Sequence, residues 1–315
     1  MGLIHTAKIL AGRSNGERYN FIVDEIQDLQ RGLTWEAGLQ EKGINPVLTY
    51  HLESCVEEDP DEIHNASAHK DGLVNIIIPS GKPKVIGVCC NYDAPSNSDG
   101  ANDNASSVAV MLNLIDRFHQ VNPKTGQKLV QLANLGVEFY LVCNGASNML
   151  GSKELAQNFQ NYDGSTPLVG MYNLKMTGIG DRVIAWPVNA GETGPLLTSL
   201  RAAIQQHNSA TGSSVKGSST THHLSNNYDY KSFCGLGVES FCVSATTRED
   251  LDAMKSFYEA VERANPAEIV RHTDTSIFLS AADTSDKLSE ATLQMVSDIM
   301  FRAIVTLDAN YPRVR

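Results

Sequence analysis

Short, nearly continuous apolar runs, most of them followed by a stretch of helical periodicity, constrain this chain more than any other feature. Val74-Asn75-Ile76-Ile77-Ile78, Val85-Ile86-Gly87-Val88-Cys89-Cys90 and the run from Val137 to Val142 are too short for helices and show no polar face. A strand that is apolar throughout is buried on both faces, which requires helices on both sides and a largely parallel sheet. Further strands are expected at 169–176, 183–186 and 238–243, alternating with helices at 104–119, 152–161, 195–207, 251–264 and 285–308. Residues 47–52 alternate as a strand. Val74 to Pro79 is expected to pair with Val85 to Cys90 through the turn Ser80-Gly81-Lys82-Pro83. Phe21, Ile22, Ile26, Leu29 and Leu33 recur at helical spacing and predict a leading helix pair over 17–40. The fold class is therefore α/β: a three-layer α/β/α sandwich with a central mixed, mostly parallel sheet. It forms one domain over residues 1–315, with 1–45 a leading helical segment packed on it. In such sheets pockets lie beyond the carboxyl ends of the central strands, where Asn91 falls.

A chain of 315 residues with 42% hydrophobic and 19% charged residues can bury one large core. Its formal net charge of −11 excludes nucleic acid and anionic membrane as partners, because those surfaces are bound through excess Lys and Arg. The first ten residues lack an apolar core behind a basic start, so no signal peptide is expected. Six irregularly spaced cysteines, including the adjacent Cys89 and Cys90, read as reduced and buried. A cytoplasmic location follows as the expectation.

The chemistry sits in a series of motifs. Asn91-Tyr92-Asp93 is followed by Gly100-Ala101-Asn102-Asp103-Asn104-Ala105-Ser106-Ser107; then come Cys143-Asn144-Gly145-Ala146 running to Gly151-Ser152, and Asn173-Leu174-Lys175-Met176-Thr177-Gly178. Tyr228-Asp229-Tyr230-Lys231-Ser232-Phe233 and Leu279-Ser280-Ala281-Ala282-Asp283-Thr284-Ser285-Asp286-Lys287-Leu288 complete the set. In order and spacing, from about residue 85 to 305, they resemble the di-zinc aminopeptidase family. That family has the zinc exopeptidase fold and includes bacterial leucyl aminopeptidases, glutaminyl cyclases and the transferrin-receptor ectodomain. The resemblance implies that Asn91 stands at the place of a zinc-binding His and Asp103 at the bridging Asp. It puts Gly145 at the general-base Glu, Ala146 at a zinc-binding Glu, Lys175 at a zinc-binding Asp and Leu279 at the closing His. Zinc sites need imidazoles and carboxylates; Ala and Leu offer no lone pair, Asn is a poor donor and an ammonium repels the ion. Neither a metal nor any other cofactor is therefore expected. His272, in a shortened version of the last motif, is the one imidazole that a remodelled loop would bring back.

What the altered pocket does turns on a few side chains. Lys175 is expected beside Asp103, either as a structural ion pair, as an anchor for a ligand carboxylate, or as an acid or base whose pKa burial has lowered. Asp103, just before a helix, also reads as an N-cap. Asp229 joins these two as the third catalytic candidate. Asn91, Asp93, His222, His223 and Tyr230 are the substrate-binding candidates, with at most one of the two adjacent histidines facing the site. Cys89, Cys90 and Cys143 end strands nearby and read as core. Three function classes remain. The first is a metal-independent enzyme acting on a small amino-acid-like or amide-bearing metabolite, and the second a non-catalytic pseudopeptidase serving binding or interaction. The third is a metallohydrolase that recruits His222, His223 or His272 alongside Asp93 and Asp103. A small, amino-acid-like ligand is the expected partner; the sequence is silent on oligomeric state.

Overall fold

The computed structural model describes residues 2–36, 50–54, 74–94, 97–143, 149–160, 167–187, 194–219, 228–253, 256 and 282–312. Gly145, Ala146, His222, His223, His272 and Leu279 lie outside these described residues.

An eight-stranded mixed sheet forms the middle layer. Its strands are β1 (His51–Ser54), β2 (Val74–Ile78), β3 (Val85–Asn91), β4 (Gly136–Val142), β5 (Leu168–Leu174), β6 (Arg182–Pro187), β7 (Lys216–Ser219) and β8 (Glu239–Thr246), in the spatial order β1-β2-β4-β3-β5-β8-β6-β7. The central pairs β4/β3, β3/β5 and β5/β8 are parallel. β1, β2 and β6 run antiparallel to their neighbours on the central side.

All seven residues of β3 are buried, as a run without a polar face requires. Ile86, Val88 and Cys90 pack into the larger core with α3 (Ser107–His119), α5 (Pro195–Thr211) and α6 (Glu290–Asn310), while Val85 and Cys89 face Leu155, Ala156 and Phe159 of α4 (Leu150–Gln160). The period of two along the strand thus divides its side chains between the two helical layers. α1 (Leu3–Leu10) and α2 (Asn15–Glu36) join the α3/α6 layer through Leu3, Ala7, Leu10, Ile22 and Ile26. Local signals fix several helix ends. α5 starts with Pro195 and has its first free amides, Leu196 and Leu197, capped by the Glu239 carboxylate at 2.8 and 3.1 Å; it stops at Gly212 with φ +70°. Ser289 caps α6 by accepting from the Thr292 amide.

Several expectations need correction. β2 and β3 do not form a hairpin: β4 lies between them, antiparallel to β2 and parallel to β3. β2 is buried at every position, so its sequence has no face that selects a partner. The leading helix pair is α1 with a single long α2, and β7 is an additional strand. Only the first residues of the helix expected at 251–264 are described. Cys143 is disulfide-bonded, whereas Cys89, Cys90, Cys234 and Cys242 are free and Cys234 is exposed. Disulfides persist in oxidising compartments, so cysteine usage no longer supports a cytoplasmic location. No helix among the described residues is long and apolar enough to cross a membrane.

Candidate functional site

The parallel strands β3 and β5 end side by side, and the motif residues gather there. Asn91 is the last residue of β3, Lys175 follows β5, and the turn Ala101–Ser106 supplies Asp103 and Asn104. Lys175 Nζ lies 2.6 Å from Asp103 Oδ1 and donates to Asn91 Oδ1 at 3.2 Å. Asn91 Nδ2 in turn donates to the Asp93 carbonyl at 3.1 Å and to Asp93 Oδ1 at 3.2 Å. The Asn104 amide stitches the strand ends together, reaching the Asn91 carbonyl at 2.9 Å, Asn91 Oδ1 at 3.1 Å and the Leu174 carbonyl at 3.2 Å. Its Oδ1 accepts from the Met176 amide, and Met176 holds φ +56°, a left-handed backbone that is costly for a residue with a side chain. The Tyr228 ring centroid is 5.4 Å from Lys175 Nζ, within cation–π range.

None of these groups faces water. Asn91, Asp93, Asp103, Lys175 and Asp229 are 0, 2, 3, 5 and 1% exposed, so their mutual contacts must satisfy nearly all of their polar needs. One does not: Asp103 Oδ2 is buried with no hydrogen-bond partner among the described residues.

Charge is balanced from two sides. Burial alone would push the Lys175 pKa down, but the Asp103 charge and hydrogen bond, then Asp229 and Asp93, lift it above the usual lysine value. The expectation of a lowered lysine pKa is therefore wrong, because the surrounding carboxylates outweigh desolvation. The second cation is Arg18 of α2, fully buried, which donates to the carbonyls of Arg13, Tyr92, Asp99 and Gly100. Burial pulls its pKa down to about 10, while Asp93, Asp283, Asp103 and Asp99 hold it up.

Asp283, from the last motif, accepts the backbone amides of Asn102 and Asp103 at 2.7 and 2.9 Å and so fixes the turn that presents Asp103. Asp103 is not a helix cap. Its φ, ψ of −113°, 83° lie outside the helical region, α3 begins four residues later with Ser106 at its N-cap, and the carboxylate turns to Lys175.

Asp229 accepts from Ser152 Oγ at 2.8 Å, and Ser152 lies 3.0 Å from Ser232 Oγ. Burial, with Asp93 and Asp103 adding to it and Lys175 and Ser152 opposing it, raises the Asp229 pKa to about 6. Tyr230, beside it, is fully buried in a cluster with Ile184, Trp186, Tyr228 and Leu251. The structure thus brings together Asn91, Asp93, Asp103, Lys175 and Asp229, packs Tyr230 into the adjoining core, and adds Arg18, Asn104, Ser152, Tyr228 and Asp283, whose roles the sequence reading missed. Arg18 carried a signal: it sits four residues before Ile22, on the apolar face of α2.

Residues 73–304 match the sequence profile of peptidase family M28. The chain belongs to that family. No curated protein matches it. Among solved structures, it is similar to the LapA aminopeptidase of Legionella pneumophila at 10% identity and a TM-score of 0.63, over 98% of this chain and 71% of that one. The glutaminyl cyclase of Fimbriiglobus ruber is similar at 13% identity and a TM-score of 0.62, over 96% and 93% of the two chains. BSAP, a zinc aminopeptidase from Bacillus subtilis, is similar at 19% identity and a TM-score of 0.51, over 73% of this chain; this M28 chain spans only 49% of that enzyme's length. At these identities the likeness establishes the fold. It is the zinc exopeptidase fold, although no three His, Cys, Asp or Glu side chains among the described residues are grouped to hold a metal ion.

Proposed function

We propose that this M28 protein is a pseudopeptidase: it has given up two-metal hydrolysis and serves binding or interaction, with the Lys175 ammonium occupying the place of a metal charge. One observation carries this reading, the 2.6 Å contact of Lys175 Nζ with Asp103 Oδ1 inside a closed polar network. A metal pair does not fit the side chains present. A cation brought to Asp103 would meet the ammonium, and Asn91 already has both ends of its amide engaged. Nor does Lys175 replace the lost base, because a lysine whose pKa is raised has no lone pair to offer at neutral pH.

A second reading, a metal-independent enzyme acting on a small amide-bearing metabolite, draws on Asp229. A buried carboxyl with a pKa of about 6 suits proton transfer near neutral pH. Asp103 Oδ2, which has no partner among the described residues, would accept from an amine or amide N–H, which keeps an amino-acid-like ligand in view under either reading.

The protein dialysed without chelator is expected to carry no stoichiometric zinc by elemental analysis. Aminoacyl-anilides should not be hydrolysed, with or without added zinc or cobalt. Two tightly held metal ions per chain, or turnover that a chelator abolishes, would overturn the proposal.

A further inference from the structure

At the opposite end of the sheet from the Lys175 network lies a concavity of about 430 Å³, framed by the start of β4 and the end of α3. β3 and β4, each seven residues long, run from this cavity to the M28 site, so the two are separated by roughly 20 Å of strand. Half-buried Val130 and Leu132 line it above the buried Phe118, Leu135 and Val137, and Lys82, Lys128 and the buried His119 complete the charged and polar lining. No acidic residue lines the cavity among the described residues, in a chain with 36 Asp and Glu against 25 Lys and Arg. The nearby carboxylates are committed elsewhere. Glu138 takes Ser80 and Tyr140 as donors, and Asp308 accepts the backbone amides of Ala133, Asn134 and Leu135.

From this geometry we infer a binding site for a small organic anion, an oxyanion head held by Lys82 and Lys128 with a short apolar body against Val130 and Leu132. Lys82 and the exposed Lys128 share one cavity wall with no carboxylate among its described lining residues, so although Lys82 Nζ also donates to the Leu132 carbonyl the cavity is a local excess of positive charge, which a bound anion would neutralise. Partial burial, and then the Lys82 charge, hold the Lys128 pKa below its ordinary value, and burial followed by Lys128 pushes His119 down to about 4. His119 is thus a neutral imidazole anchored through Nδ1 to the Ile115 carbonyl at 2.8 Å. The volume falls within the range of small-molecule sites. Carboxylate and phosphate heads share the required chemistry, since lysine pairs with either as a point charge.

Calorimetric titration with hexanoate, hexyl phosphate, hexanol and hexylammonium tests the assignment, with the His119 imidazole resonances reporting location. We expect at least one of the two anions to bind at about millimolar Kd or tighter and to shift His119, and whichever binds identifies the head group. The doubly substituted Lys82→Met/Lys128→Met protein should lose about tenfold or more of that affinity. Val130→Trp, which fills the wall without touching a charge, should abolish binding. The inference fails if neither anion binds, if hexanol or hexylammonium binds as well as the anions, or if the double variant, shown by its melting curve to be folded, binds undiminished.

Discussion

Replacing Lys175 with Met separates a structural ion pair from every other role of this side chain. The Lys175 and Asp103 side chains are 6% and 4% exposed, so the ammonium cannot be replaced by water without opening the site. Its removal leaves Asp103 Oδ1 without its cation next to an Oδ2 that has no partner among the described residues. Breaking a buried pair from one side costs about 3–5 kcal/mol, a large part of the 5–15 kcal/mol that typically separates folded from unfolded chains. With an unfolding entropy of about 2.1 cal/mol/K per residue, a chain of 315 residues should lose roughly 5–8 °C in Tm. Urea and thermal melts followed by circular dichroism measure both quantities. Asp103→Asn, which keeps an oxygen acceptor for Lys175 and removes only the charge, should cost less. The double variant Lys175→Met/Asp103→Asn should be more stable than Lys175→Met alone, because no buried charge then lacks its partner. Because the folded pKa of Lys175 is raised above its ordinary 10.5, its contribution is fully present below that value and lost only as pH rises through the folded pKa. Lys175 itself therefore adds no pH dependence between about pH 7 and 9. Lys175→Met within about 0.5 kcal/mol of the parent, or a double variant no better than the single one, would refute the ion-pair argument.

Asp229→Asn should alter the pH profile of stability. A folded pKa of about 6 against an ordinary 3.8 means the folded state keeps a proton that the unfolded state releases, so this group's contribution falls as pH rises from about 4 to 6, by on the order of 3 kcal/mol. The asparagine variant should lack that decline and be the more stable protein at pH 7; parallel profiles for the two proteins would contradict this. Arg18→Met should destabilise by about 3–5 kcal/mol, since it strips the carbonyls of Tyr92, Asp99 and Gly100 of a shared donor and removes a buried cation. Arg18→Lys should recover only part, because an ammonium keeps the charge without the planar fork, and full recovery would show that charge alone matters.

The strands that make the site were legible because their apolar runs leave no alternative to burial between two helical layers, and β3 and β5 therefore deliver Asn91 and Lys175 to one sheet end. The contact of Lys175 with Asp103 was legible only through the family resemblance, which implies that both positions lie at the metal site. The pairing of β2 was not, because a strand buried on both faces satisfies its side chains beside any neighbour. Asp103 was misread as a cap because a carboxylate before an amphipathic helix looks the same whether it turns toward the helix amides or away from them; the lysine seventy-two residues later and the Asp283 clamp decide the matter. The sign of the Lys175 pKa shift was likewise out of reach. It depends on three carboxylates converging from the first motif and the Asp229 segment, a sum over tertiary neighbours that no local pattern encodes.

That sum has a further consequence. Asp93, Asp103, Asp229 and Asp283 are buried around Lys175 and Arg18, so the site carries more potential negative than positive charge. Asp283 disposes of its share through two backbone amides, Asp93 accepts from Asn91, and Asp229 holds its proton up to about pH 6. If surplus negative charge governs the site, Lys175→Asp should be worse than Lys175→Met, although aspartate is the residue to which the family resemblance points at this position. The methionine removes one cation, whereas the aspartate also places a carboxylate beside Asp103, and two carboxylates in contact cannot both remain ionised. A divalent cation would then relieve the aspartate variant and leave the methionine variant unmoved. Melting curves of both variants, with chelator and with added zinc, make the comparison. Equal stability of the two in chelator, or an equal response to zinc, would show that packing around the lysine stem, and not charge, holds this end of the sheet together.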